Sequence, residues 1–248
     1  KIHLWHYKKF FPKYAKKATR ILTVSEFSKK DISECYGINP DKIDVAYNGA
    51  NEIFTPVSQE IKDAIKDIYA DSKPYFMFVG SLHPRKNLAR LFTAFDIFKK
   101  RNNNNIQLLI VGEKKWWTEP IKNAYEAMTH KDDVIFTGRL SADELHHVTA
   151  SALASVYVSY FEGFGIPIVE AFRCDTPVIT SNVTSMPEVA ADAALLVDPF
   201  DVNSIADAME KVLNDDIRKE LIEKGRIRCQ DFSWDKAAEE WWKCIMKV

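Results

Sequence analysis

Pro74-Tyr75-Phe76-Met77-Phe78-Val79-Gly80-Ser81-Leu82 reads as a continuous apolar run ended by a small-residue turn. A strand with one wet face alternates apolar and polar residues; a strand covered by helices on both faces does not. The run therefore predicts a buried parallel strand. Helical spacing follows it: Leu88, Leu91, Phe92, Phe95 and Phe98 form one apolar stripe. The alternation continues with strands expected at Ile106–Gly112, Val134–Gly138, Leu153–Ser159, Pro177–Thr180 and Ala194–Val197. Helices are expected at Glu119–Met128, Ala142–Ala150, Asn203–Asn214, Ile217–Cys229 and Trp234–Met246. Upstream, Arg20–Ser25 and Lys42–Tyr47 read as strands around a helix near Glu26–Tyr36 that Ser25 can cap. Asn48-Gly49 is a turn signal, and Asn48 to Ser58, with Pro56, reads as a linker ahead of a short helical pattern at Ile61–Tyr69. The pattern is α/β, a Rossmann-like doubly wound parallel sheet.

Composition narrows the function classes. The 248 residues carry 34 Lys and Arg against 35 Asp and Glu, a formal charge of −1. That balance argues against a nucleic-acid partner, which would call for a basic surplus. The exception is the start, where Lys1, Lys8, Lys9, Lys13, Lys16, Lys17 and Arg20 cluster. They read as a solvated helix face or as an attraction to an anionic membrane surface. Cys35, Cys174, Cys229 and Cys244 show no C-x-x-C pairing. They read as reduced thiols of a cytoplasmic protein. No apolar run approaches the length of a bilayer span. The opening without Met, inside a lysine-rich helical pattern, leads us to expect a piece of a longer protein.

Three segments at expected strand C-termini carry the chemistry, and doubly wound sheets bind ligands at that edge. In Glu162-Gly163-Phe164-Gly165-Ile166-Pro167-Ile168-Val169-Glu170 two carboxylates flank a glycine loop and a helix start, with Pro167 suited to the first helical position. The helix N-terminus favours an anion, and the carboxylates favour hydroxyls on either side of it. A ligand with sugar, diphosphate and ribose in a row meets both demands. Gly80-Ser81-Leu82-His83-Pro84-Arg85-Lys86-Asn87 puts two cations at a helix start, where the dipole disfavours them. A phosphate would explain their placement, an exposed basic turn being the plainer alternative. Thr137-Gly138-Arg139-Leu140 offers backbone groups for a nucleobase edge or is an ordinary turn capped by Ser141. Trp116 and Trp117 are expected to pack rather than stack on a ligand, and Trp241 and Trp242 to dock the last helix onto another surface. The histidines lack metal-ligand spacing, His83 being read as a capping or solvated residue. P-loop, dinucleotide and serine-hydrolase motifs are missing.

Ser159 through Phe172, continued by Asp175-Thr176-Pro177-Val178-Ile179-Thr180-Ser181, resembles the signature of retaining glycosyltransferases of family 4, the group 1 transferases. Phe78 through Leu88 resembles their phosphate loop. Val24–Ser28, Tyr47-Asn48-Gly49, Met186–Val189 and Ala193–Pro199 also resemble their family counterparts. The resemblance implies a GT-B architecture of two Rossmann-like domains. Residues 1–48 would end the acceptor-side domain, 49–230 would bind the donor, and 231–248 would form a helix returning towards the first domain. It further implies that Glu170 holds the ribose, that Glu162 contacts the donor sugar, and that Lys86 with Arg85 neutralises the leaving diphosphate. Gly163, Phe164 and Gly165 would line the sugar and phosphate site, Gly80 and Ser81 the phosphate turn, Arg139 and Leu140 the base. Many members carry arginine where Ser81 stands here; Arg85 can supply that charge from a shifted place.

The implied reaction moves a hexose from a GDP- or UDP-linked donor to a glycan or lipid-linked acceptor with retention, in surface polysaccharide synthesis; mannose is the favoured sugar. Cations aimed at the departing diphosphate can replace a divalent metal, so neither metal nor cofactor is expected. The alternatives are a GT-B sugar-nucleotide epimerase and a nucleotide-sugar-binding module without turnover. The expected place is the cytoplasm, with membrane contact through the first domain left open.

Overall fold

The computed structural model describes residues 2–248, so Lys1 of the basic opening lies outside it, as do the side chains of residues 2–4. The chain divides into two compact units, one running to Gly49 and resuming at Phe232, the other spanning Ala50–Asp231. The first begins with α1 (Ile2–Lys17), β1 (Ile21–Thr23), α2 (Glu26–Tyr36) and β2 (Ile43–Val45). The second supplies α3 (Gln59–Tyr69), β3 (Tyr75–Val79), α4 (Leu88–Asn102), β4 (Gln107–Val111), α5 (Glu119–Glu126), β5 (Val134–Gly138) and α6 (Ala142–Ala150). It continues with β6 (Ala154–Tyr157), α7 (Ile166–Arg173), β7 (Val178–Ser181), α8 (Met186–Ala190), β8 (Ala194–Val197), α9 (Val202–Lys211) and α10 (Asp215–Arg228). The last helix, α11 (Trp234–Ile245), belongs to the first unit.

In the first unit β1 and β2 pair in parallel, Ile21 opposite Ile43. Ser25 caps α2 by accepting from the Ser28 N–H, as its position predicts, and Gly37 closes that helix in the left-handed region. Asp44 binds Arg20 at 2.6 Å and Lys247 at 2.7 Å, which holds its carboxyl well below the ordinary range against the opposing effect of burial. Trp234, Trp241 and Trp242 line an apolar cleft with Leu22, Ala46 and Ile245. Trp5, Tyr7, Phe11 and Tyr14 of α1 are exposed among its lysines. Among the described residues no helix is long and apolar enough to cross a membrane.

The second unit holds a six-stranded sheet in the order β5-β4-β3-β6-β7-β8 with every pairing parallel. The apolar run of β3 feeds two cores at once. Phe76 and Phe78 point into the cluster with Leu91, Phe95 and Phe98 of α4 and Ile205 and Met209 of α9. Tyr75 and Met77 point the other way, into the cluster with Ile65 of α3 and Val148 of α6. Period-2 geometry with helices on both faces is why no polar residue interrupts the run. The strand order reverses between β3 and β6, so a crevice opens beyond their carboxyl ends.

Three features differ from the sequence-based expectation. The residues after Gly49 are not a free linker: Phe54 is 3% exposed and packs with Ala150 and Cys174, while Arg173 and His146 bond the Phe54 and Thr55 carbonyls. Pro167 is the second helical residue, since Ile166 opens α7, although its missing N–H still falls among the unpaired four. Helix α8, only five residues long, was not expected at all.

Candidate active site

Two strand-ending turns, those of β3 and β4, shape the carboxyl edge of the sheet beside the β3/β6 crevice. β3 ends at Gly80, whose φ of +145° suits glycine, and its N–H donates to the Val111 carbonyl at 3.0 Å. Gly112 does the same for β4 at φ +148°, and a Cβ there would collide with the Gly80 carbonyl. The two glycines let adjacent strand ends approach closely enough to leave a cleft beyond them. That cleft, about 440 Å³, is lined by Gly80, Ser81, Gly112, Glu113, Arg139 and Leu140 among others. The structure thus brings the phosphate turn and the segment after β5 to one wall.

The chain next makes a short 3₁₀ turn at Pro84–Lys86. His83 caps it, its Nδ1 accepting from the Arg85 N–H at 3.2 Å, in line with the capping reading. Asn87 follows in the left-handed region at φ +65° and donates to the carbonyls of Val158 at 3.0 Å and Pro199 at 2.7 Å. The turn is therefore bolted to the end of β6. Tyr160 adds a bond from its N–H to the Arg85 carbonyl at 3.0 Å.

Both cations meet Glu162 across the crevice. Lys86 Nζ lies 2.7 Å from Glu162 Oε1, and Arg85 pairs with the same oxygen while also donating to the Phe161 carbonyl at 3.2 Å. Lys86 and Glu162 are 7% and 8% exposed, so this is a buried ion pair with a half-exposed arginine at its rim. Burial pushes the Lys86 ammonium down, with Glu162 partly restoring it. Burial would raise the Glu162 carboxyl, but Arg85 and Lys86 outweigh it and hold the group below its ordinary range. The loop carrying Glu162 is fixed from below: Ser185 Oγ donates to the carbonyls of Glu162 at 2.9 Å and Phe164 at 3.0 Å. Ser185 lies beside the unexpected helix α8; its signal was the Ser-Met-Pro-Glu run shortly after β7.

Glu170 stands apart from this cluster. It lies one turn into α7, half-buried, and among the described residues its carboxylate has no hydrogen-bond or ion-pair partner. Burial alone pushes its pKa up to about 7. Phe164 is buried with its carbonyl committed to Ser185, and Gly165 caps α7 with its carbonyl committed to the Ile168 N–H. Of the loop tryptophans, Trp117 packs on Phe92, Tyr125 and Phe136, whereas Trp116 stays half-exposed, edge-on to His83. Among the described residues no group of three or more His, Cys, Asp or Glu side chains could hold a metal ion.

Known proteins resemble this chain in sequence and fold. O-antigen chain mannosyltransferase B of Escherichia coli is 31% identical over 225 residues, covering 90% of this chain and 59% of that protein. O-antigen chain mannosyltransferase RfbU of Salmonella typhimurium is 32% identical over 197 residues, covering 79% and 52%. The chain thus spans little more than half the length of these relatives. Among solved structures, sucrose-phosphate synthase from Thermosynechococcus elongatus superposes with a TM-score of 0.81 at 25% identity, over 95% of this chain and 60% of that one. Anabaena HepE, solved with UDP and glucose, shares the fold at a TM-score of 0.83 and 16% identity, over 95% and 65%. The family model described as "Glycosyl transferases group 1" matches residues 59–228, most of the second unit, and the chain belongs to that family.

Proposed function

We propose that the second unit binds a nucleotide-sugar donor and that the whole protein is a retaining hexosyltransferase of polysaccharide synthesis, with mannose as the transferred sugar. One observation carries this reading: two cations and a carboxylate, all at the β3/β6 strand reversal, stand beside a cleft walled by Gly80, Ser81, Arg139 and Leu140. The O-antigen mannosyltransferase relatives support the choice of sugar.

The chemistry follows from charge. As the bond from the sugar anomeric carbon to phosphate oxygen breaks, its electron pair goes to the diphosphate and positive charge spreads over the sugar ring. Lys86 and Arg85 exchange Glu162 for the growing diphosphate charge, a gain largest in the transition state. The released Glu162 carboxylate accepts a hydrogen bond from a donor-sugar hydroxyl. The acceptor oxygen bonds to the anomeric carbon on the face the phosphate leaves, and its proton passes to the departing phosphate oxygen. Glu170 accepts from the ribose hydroxyls.

The test is a thermal-shift panel of GDP-, UDP- and ADP-linked hexoses on this chain, then a transfer assay with the full-length protein. Stabilisation by GDP-mannose above the other donors, with mannose incorporated into acceptor, is expected. Indifference to every nucleotide-sugar would end the donor reading.

A further inference from the structure

We propose that Tyr157 is a positioning residue that holds the Lys86 ammonium against the Gly80 turn, aimed at the donor diphosphate; this rests on the diphosphate reading above. Lysine is a poor choice for a fixed charge, because its four-carbon stem is flexible and its ammonium strongly hydrated. Something must hold Lys86 when it is buried. Glu162 pairs with it, but Glu162 is the group that has to let go when the donor arrives. Tyr157 is the partner that stays. Its hydroxyl accepts a hydrogen bond from Lys86 Nζ, which lies 4.4 Å from the ring centroid. The phenol is the last residue of β6, 2% exposed, and the Thr180 hydroxyl donates to its carbonyl at 2.8 Å, so the ring stands on a fixed strand.

The other side of the lysine is set by Gly80. A Cβ at that position would lie 3.4 Å from Lys86 Cε and 3.6 Å from Nζ, so the stem runs along the glycine turn in the space a side chain would fill. The ammonium is thus bracketed by a backbone turn and a phenol from the two strands at the sheet's reversal. A neutral acceptor also suits the task. A second carboxylate would cancel the lysine's charge and compete with phosphate, whereas the phenol remains neutral because burial, and then Glu162, push its pKa up.

Calorimetry on this chain tests the idea, with GDP against GMP and UDP against UMP as probes. Four variants are compared with the wild type: Lys86→Ala, Tyr157→Phe, their combination, and Tyr157→Gln. Tyr75→Phe serves as a folding control, since Tyr75 is as deeply buried and its hydroxyl donates to the Val148 carbonyl, away from Lys86. Tyr157→Phe is expected to bind diphosphates about tenfold more weakly with little change for monophosphates. The double variant should match Lys86→Ala alone, and Tyr157→Gln, which restores a neutral acceptor, should recover part of the loss. The alkaline limb of diphosphate affinity should also move to lower pH in Tyr157→Phe. If Lys86→Ala loses diphosphate affinity and Tyr157→Phe and Tyr157→Gln do not, Tyr157 has no positioning role and the diphosphate reading stands. Additive losses in the double variant would equally overturn the role. If Lys86→Ala itself changes nothing, the diphosphate reading falls and takes Tyr157 with it.

Discussion

Glu162 Oε1 sits 2.7 Å from Lys86 Nζ inside the crevice, so one carboxylate offsets half of the charge that Lys86 and Arg85 bring there. The pair is buried, and breaking a buried pair from one side leaves the other charge without compensation. Glu162→Gln therefore has two expected effects. The free chain melts lower, because Lys86 and Arg85 face each other with no counter-charge. Nucleoside diphosphates then bind several-fold more tightly, because they no longer displace a carboxylate. A larger diphosphate-induced rise in melting temperature than in the wild type is the measurement. An unchanged response would mean that the two cations do not face the ligand.

Glu170 predicts a pH dependence of stability. Its pKa is raised by burial from 4.5 to about 7, so the folded chain holds this proton more tightly than the unfolded chain. The stabilisation is complete below about pH 4.5 and is lost as pH rises through about 7. Glu170→Gln removes the loss, so the variant should melt roughly 3 °C or more above wild type at pH 8 and close to it at pH 4. Melting curves in paired buffers check this, and an equal difference at both pH values would contradict it.

The same residue predicts a proton released on binding. In the proposed role ribose hydroxyls donate to the ionised carboxylate, so a nucleotide would select the deprotonated form. At pH 6 binding should expel close to one proton, seen as a calorimetric enthalpy that varies with the buffer's ionisation enthalpy. Glu170→Gln should flatten that variation. Buffer-independent enthalpy in the wild type would remove Glu170 from the ribose.

Much of this unit was legible because its strands are buried on both faces. The β3 run, the α4 stripe and the spans of β5, α6 and β8 could be read from periodicity alone. That Lys86, Arg85 and Glu162 come together was legible because two cations at a helix start and a carboxylate beside a glycine loop each call for a partner. Tyr157 was not, since in a strand of apolar residues an aromatic reads as core until its hydroxyl is located. Phe54 was hidden by its neighbours: Asn48-Gly49 and Pro56 signal a loop, and nothing local says that a loop residue fills a gap between α6 and α7. Helix α8 was too short to show a period.

Asn87 predicts a stability effect separable from charge. Its amide is shared between the Val158 and Pro199 carbonyls, and its backbone occupies the left-handed region. Asn87→Ala loses both bonds, leaves buried carbonyls unpaired at about 1–3 kcal/mol each, and places a Cβ residue where L side chains are disfavoured. Asn87→Gly loses the same bonds without the backbone penalty, so it should be the less damaged of the two by about 1 kcal/mol. Denaturant unfolding measures both. Equal stabilities would show that the backbone at position 87 carries no strain, and a wild-type stability in Asn87→Gly would show that the amide does not tie the cationic turn to β6.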